Sequence, residues 1–502
     1  MEGHSDMTRA GNNGGQGAWK SMAGLAGSNY LVFAVRMLAG VAVARILGPE
    51  LKGTWSGLAL VISYSAFSSL GVVHALGREL PLLLGAGKTS ESRRTKDVGL
   101  SFIILTHAVI AAGVAGCALQ GDVFSPLVNR GLLFVAAIVL TDGISAYVTG
   151  VLRAEQRFGA YALVNLTKGC VYAVAVVFGA WHYSLEGVYL AVLLSSVTVL
   201  VPCWVLELGK RRVAWSPRIL GVLLKTGIAI AAYTGGFVLF LSIDRVVVLS
   251  VLGTRELGLY GIGLLIFQSL MIVPSSILQF VGPKALHRFA AGKGDVHGLK
   301  AYMDLPLLLQ SSLMGMIVPI AVVASPLLIG WVLPAYVGGI LAAQILCVAT
   351  FGLLLATNMT LILSAKAHFG RMILGVAAAV GSNALLSTLA VHFGFGIEGV
   401  AAGTLAAYLA YGIALGMYVP IHYFDEAWRE AIARLGNFLW PLPLAVMALA
   451  IGRLSSTLLI ALAVGAALVS AVTAGLRFRE FRRQGSSDLY LAPETAVGTE
   501  FE

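Results

Sequence analysis

The sequence predicts an all-α polytopic membrane protein of about fourteen spanning helices: two parallel six-helix repeats around a central cavity, followed by two further helices. Composition, the spacing of apolar blocks and an internal repeat carry this expectation. Of the 502 residues, 58% are hydrophobic and only 12% charged, with 59 glycines and a mean hydropathy of +0.87. Soluble domains carry roughly 25% charge, so a water-soluble fold is excluded. A spanning helix takes roughly 20 apolar residues, and fourteen of them leave room only for short connections.

The first 20 residues are polar and show no apolar core with a small-residue cleavage site, so the first apolar block is expected to stay as an anchor. The blocks run approximately 25–47, 56–77, 99–119, 131–152, 159–180, 187–207, 219–242, 257–281, 305–328, 339–363, 371–392, 397–419, 438–453 and 457–476. The thirteenth is the shortest and opens on Pro441 and Pro443. Cys117, Cys170, Cys203 and Cys347 lie inside blocks without CxxC spacing, which argues against a disulfide framework or a metal site.

Charge sets the expected orientation. The net charge of +10 is spread as small basic clusters between apolar blocks, a positive-inside pattern and not a nucleic-acid surface. With both termini cytoplasmic, 25 of the 34 Lys and Arg fall on inner segments and six on outer ones, with Arg36, Lys168 and Lys225 inside helices. The organisation expected is a cytoplasmic segment 1–24, a first lobe 25–208, a basic connecting loop 209–218, a second lobe 219–419, an appendix 420–476 and a cytoplasmic tail 477–502. Lys210, Arg211, Arg212 and Arg218 are expected to hold the connecting loop at the cytoplasmic face.

The repeat emerges at an offset of about 205 positions, where Leu47-Gly48-Pro49-Glu50-Leu51-Lys52-Gly53 lies on Leu252-Gly253-Thr254-Arg255-Glu256-Leu257-Gly258. At a slightly longer offset, Arg157-Phe158-Gly159 faces His368-Phe369-Gly370 and Glu186-Gly187-Val188 faces Glu398-Gly399-Val400. An even number of helices per copy gives both copies one orientation, the arrangement used in alternating access.

Ionisable groups inside membrane helices are functional candidates by default, since a cation at the centre costs roughly 2.5–3.5 kcal/mol even on the lenient scale. Arg36 is either an anion-binding group or half of a structural ion pair. Lys168 shares one helical face with Tyr161, Asn165 and Tyr172, read either as a substrate stripe or as a polar helix contact. Asp142, with Ser145 and Thr149, either neutralises Arg36 or Lys168 or serves ion coupling. Lys225 lies near a helix end and can snorkel. The second lobe offers uncharged groups, among them Gln268, Gln344, Asn358, Asn383 and Tyr408, suited to sugar hydroxyls or to helix packing. Gly399/Gly403 and Gly412/Gly416 predict close helix approach, and Pro274 and Pro319 predict kinks. His74, His107 and His392 have no partner nearby in sequence and are read as packed or interfacial. No nucleophile motif, phosphate loop or metal-ligand cluster is present, so neither cofactor nor metal is expected.

At Ala44-Arg45-Ile46-Leu47-Gly48-Pro49-Glu50, continued by Gly53, the sequence resembles the polysaccharide-biosynthesis flippases (Wzx-like oligosaccharide flippases) of the multidrug/oligosaccharidyl-lipid/polysaccharide exporter superfamily. The resemblance continues at Asp244-Arg245, Leu252-Gly253, Leu257-Gly258-Leu259-Tyr260, Pro274 through Pro283, and Glu398-Gly399-Val400-Ala401-Ala402-Gly403. It implies a non-enzymatic flippase of the bacterial cytoplasmic membrane that moves a polyprenyl-pyrophosphate-linked oligosaccharide, with membrane lipids and polysaccharide polymerase machinery as partners. Cavity cations engage the pyrophosphate in such proteins, which assigns that role to Arg36, Lys168 and Arg245, with Lys225 behind them, and makes Asp244 a counter-ion or coupling candidate beside Asp142. Fourteen helices in place of twelve are shared by some relatives, including lipid II flippases. A cation-coupled multidrug exporter of the same superfamily is the second reading. A membrane-embedded saccharide polymerase or ligase is the third, disfavoured by the short outer connections.

Overall fold

A computed structural model describes residues 5–120, 124–291, 295–366 and 368–451, with scattered positions between 465 and 475. Every regular element among them is helical. Helix α1 (Ser5–Ser65) contains a break at Gly48 (φ 73°, ψ 174°), and a short 3-10 turn at Ala66–Ser69 leads through Leu70 and Gly71, both left-handed, into α2 (Val72–Gly85). Then follow α3 (Thr89–Leu119), α4 (Pro126–Ala154), α5 (Phe158–Thr198), α6 (Leu200–Leu206) and α7 (Pro217–Phe240). Pro126 at the first helical position and Ser125, whose Oγ accepts from Val128 N at 3.4 Å, fix the start of α4.

Helix α8 (Ile243–Val247) runs through a wide turn into α9 (Thr254–Ala291). The remainder comprises α10 (Lys300–Val332), α11 (Ile340–Ala365), α12 (Phe369–His392), α13 (Gly396–Tyr423), α14 (Trp428–Leu439) and α15 (Leu442–Ile451). Ten helices among the described residues are long and apolar enough to cross a membrane, or eleven if α14 and α15, bent by 43°, count as one span.

The count falls short of the fourteen blocks expected because some runs hold two helices and because the last block lies almost wholly outside the described residues. Two of the runs each hold two helices: blocks 25–47 and 56–77 lie on either side of the non-helical Gly48, and blocks 159–180 and 187–207 on either side of the non-helical Ser184. The 49-residue run Phe158–Leu206 would be about 70 Å long if straight, against a hydrocarbon core of roughly 30 Å. It reverses at Ser184 (φ 53°, ψ −133°): a Cβ on Gly187 would stand 1.9 Å from the Gly179 carbonyl oxygen, two positions about 12 Å apart along an unbroken helix. Block 457–476 lies almost wholly outside the described residues. Between the twelfth and thirteenth blocks the structure adds α14, which buries Ala431, Leu435 and Phe438 and leaves Trp428 and Ile432 exposed. Buried Glu426, clasped by Arg434 and by Lys300 at 3.0 Å, ties α14 to α10.

Contacts divide the chain into two units, Met1–Gly261 and Ile262–Glu502. The first unit retains α7, which packs on α2 and α3, and also both copies of the Leu-Gly motif. Gly253 (φ 93°, ψ −177°) repeats the conformation of Gly48, one that L side chains rarely adopt. The contacts repeat as well. A Cβ on Gly53 would stand 1.7 Å from the Thr254 carbonyl oxygen, and one on Gly258 would stand 1.8 Å from that of Pro49, so the two copies meet reciprocally. In the second unit, a Cβ on Gly412 would lie 2.3 Å from the Gly352 carbonyl oxygen, which brings α13 against α11 as the small-residue spacing predicts.

Two apolar clusters fill the first unit. One joins α1, α4 and both arms of α5 through residues such as Val135, Val176 and Val188. The other joins α2, α3, α4 and α7 through Leu76, Ile103, Val148 and Leu223. At the helix ends a charge network locks α3, the α4–α5 turn and the segment after α6. Lys96 contacts Glu155 and lies 3.7 Å from Glu207, Arg157 lies 3.4 Å from both of those carboxylates, and Arg211 reaches Glu207 at 2.9 Å and Asp97 at 3.4 Å. Part of the expected basic loop is thus stitched down: Ala214 N donates to Ser101 Oγ at 3.0 Å.

Candidate functional site: a cationic cavity in the first unit

A cavity of about 380 Å³ opens where α1 to α5 meet, and its polar lining draws on helices from both apolar clusters. From α1 comes Arg36, from α2 His74, from α3 His107, from α4 Asp142, Ser145 and Thr149, and from α5 Tyr161, Asn165 and Lys168. The spacing of 4 and 3 on α5 places its three residues on one face, as the sequence predicts. Tyr172, one turn further, does not line the cavity but underlies Arg36, whose guanidinium carbon sits 5.5 Å from the ring centroid.

The charges are not balanced. Lys168 Nζ donates to Asp142 Oδ1 at 2.6 Å, and Ser196 Oγ donates to the same oxygen at 3.0 Å. Of the two pairings expected for Asp142, the structure makes the one with Lys168. Among the described residues no carboxylate pairs with Arg36, and its buried Nε has no hydrogen-bond partner. Unpaired buried donors are costly, which makes Arg36 a candidate for binding an acceptor. Two cations against one carboxylate leave the cavity with net positive charge when its histidines are neutral.

Not every candidate gathers here. Asp244 is fully buried, accepting from Tyr260 Oη at 2.6 Å and from Arg245 N at 2.8 Å. Arg245 Nη2 donates to the Leu241 carbonyl at 3.1 Å, so this pair stabilises the α8 turn beside the repeated motif and does not line the cavity. Lys225 is exposed, as snorkelling predicts. In the second unit Gln344 donates to the Val322 carbonyl at 2.9 Å, Asn358 to Gln310 Oε1 at 2.5 Å, and Gln310 in turn to the Pro274 carbonyl at 3.3 Å. Asn383 Oδ1 accepts from Ser387 and Thr404, Tyr408 packs against Phe267, and Gln268 is exposed. These groups, Gln268 apart, join helices of the second unit.

His74 and His107, read from the sequence as packed or interfacial, both line this cavity. His107 is buried, with Nδ1 2.9 Å from the Ile103 carbonyl, and its ring occupies the space that a side chain at position 143 would need: a Cβ on Gly143 would fall 2.3 Å from it. The only signal in sequence is a glycine one residue after Asp142. Among the described residues no group of His, Cys, Asp and Glu is placed to hold a metal.

Fold and cavity together define a multi-pass helical membrane protein. No known family profile matches the chain, and neither does any curated protein. Solved structures do. The lipid II flippase MurJ in an inward closed conformation matches with a TM-score of 0.65 at 12% identity, covering 91% of this chain and 99% of that one. An inward-facing multidrug resistance MATE family transporter of the MOP superfamily gives 0.59 at 15% identity, over 84% and 94%. The Vibrio cholerae MATE transporter VcmN, as a mutant, gives 0.60 at 13% identity, over 82% and 97%. The chain has the fold of MOP superfamily transporters.

Proposed function

We propose that the chain is a flippase that carries a polyprenyl-pyrophosphate-linked oligosaccharide outward across the bacterial cytoplasmic membrane by alternating access, without covalent chemistry. Both termini are cytoplasmic in this reading, and the product is handed to polysaccharide polymerase machinery. The observation that carries it is Arg36: a guanidinium stacked on Tyr172, lining a cavity and paired with no carboxylate among the described residues. A planar guanidinium grips two phosphate oxygens at once, and its attraction to a multivalent anion is stronger in a cavity partly shielded from water. Lys168, one step along the α5 face, adds a second cation once its contact with Asp142 is exchanged for the ligand.

The test is translocation of labelled lipid-linked saccharide by purified protein in liposomes, with fluorescent cationic drugs in parallel. Arg36→Ala is expected to abolish saccharide transport nearly completely while leaving the melting temperature close to wild type, and Arg36→Lys to retain part of it. Transport of the drugs, but not the saccharide, would establish the second reading, a cation-coupled multidrug exporter. The observation favouring that alternative is Asp142, which is 30% exposed and lines the cavity beside two histidines.

A further inference from the structure

A second cavity, of about 410 Å³, lies apart from the first at one end of the helices, where the end of α2, the start of α3 and the start of α7 come together. It contains three cations and two carboxylates. The carboxylates are engaged: Glu91 lies 3.4 Å from Lys88 Nζ, and Glu79 accepts from Thr226 Oγ1 at 3.2 Å. Arg94 on α3 and Arg218 on α7 line the same cavity, and among the described residues neither is paired with a carboxylate. Both arginines are exposed, so two guanidinium groups from different helices face one recess that water and a small anion can enter.

The remaining lining identifies the anion's carrier. Arg218 occupies the first turn of α7, and Val222, one turn deeper on the same face, also lines the cavity and is 50% exposed. Leu83 lines it from α2, beside Leu82, which is 61% exposed. On α7 the recess therefore presents Arg218 and, one turn deeper, exposed Val222, while on α2 Leu83 lies near the helix end with Glu79, hydrogen-bonded to Thr226, one turn deeper. A dissolved anion has no use for Val222 and Leu83, whereas an amphiphile with a phosphodiester head and alkyl chains fits both the cations and these apolar side chains. Helix ends lie at the membrane boundary, where such headgroups reside and where each Lys or Arg attracts an anionic lipid.

We propose that this recess is a binding site for an anionic phospholipid, whose phosphodiester bridges Arg94 and Arg218 and whose chains lie along Val222 and Leu83. The lipid would brace α7 against α3. The proposal is independent of the transport reading.

The test uses purified full-length protein, with native mass spectrometry to count bound lipid and thermal melting to read its effect. The probes are phosphatidylglycerol, phosphatidylcholine, water-soluble glycerophosphoglycerol and inorganic phosphate. Wild type is expected to retain phosphatidylglycerol in preference to phosphatidylcholine and to melt higher with it. Removing each arginine should weaken that binding by about fivefold. The Arg94→Gln/Arg218→Gln protein therefore loses the preference, Arg94→Lys/Arg218→Lys keeps most of it, and Arg255→Gln, whose guanidinium pairs with Glu256 outside the recess, leaves it unchanged. Equal uptake of the two lipids by wild type, or unchanged affinity in the double glutamine variant, would overturn the proposal. So would full competition by glycerophosphoglycerol or phosphate at equal concentration, which would assign the recess to a free anion. Should the glutamine variant fail to fold, the wild-type lipid preference and the lysine variant decide the matter.

Discussion

The first unit holds two concentrations of charge built on opposite terms. The network at the helix ends sets Lys96, Arg157 and Arg211 against Asp97, Glu155 and Glu207, three cations to three carboxylates, with Glu207 only 2% exposed. The cavity sets Arg36 and Lys168 against Asp142 alone, and the pair it forms is 22% and 30% exposed. Neutral, closed networks hold helices together. A cavity left with a surplus cation beside a partly wet ion pair retains electrostatic attraction for something else. The difference separates scaffold from site more sharply than depth in the membrane, because both groups contain residues that look alike in the sequence.

The largest expected effect breaks the network. Glu207→Gln leaves Lys96, Arg157 and Arg211 without their shared partner, and loss of one member of a buried pair costs about 3–5 kcal/mol. Folded yield and melting temperature measured by fluorescence-detected size exclusion should fall steeply. A variant that melts normally but fails to transport would place the network with the site.

A smaller effect is expected in the cavity. Lys168→Ala orphans Asp142 at a cost of about 1–2 kcal/mol, between the values for exposed and buried pairs. Adding Asp142→Asn should restore abundance while transport stays low. Recovery of transport together with abundance would show that Lys168 is only a counter-ion.

Acid sharpens the contrast further. Burial pushes the Glu155 carboxyl up, but Lys96 and Arg157 outweigh it and hold the group below the ordinary glutamate value. A carboxyl depressed in the folded state stabilises above its unfolded value, about 4.3, and that contribution is lost as pH falls through the folded value. Melting temperature should therefore drop more steeply below about pH 4.3 in wild type than in Glu155→Gln. Parallel curves would remove Glu155 from the network's energetics. The smallest effect belongs to exposed Lys225, where Lys225→Gln should change stability by no more than about 0.5 kcal/mol and leave transport intact. Loss of transport there would extend the site beyond the cavity.

The sequence by itself determined the membrane class, the repeated Leu-Gly segment and the polar face of α5, because each is a local pattern. Apolar length, a glycine that accepts positive φ and a helical spacing are all written within a few turns of chain. Gly48 and Gly253, paired by sequence offset alone, share a backbone conformation and make matching contacts. Tertiary structure alone decided which ions meet. Asp142 and Lys168 are 26 positions apart, Lys96 and Glu207 more than a hundred, and nothing in the chain near Arg36 shows that it rests on Tyr172 in place of a carboxylate. The tightness of the breaks at Gly48 and Ser184 was hidden for the same reason, since hydropathy records how much chain is apolar but not how a helix turns. Pairing and reversal depend on how helices pack side by side, which long-range contacts fix and local composition does not.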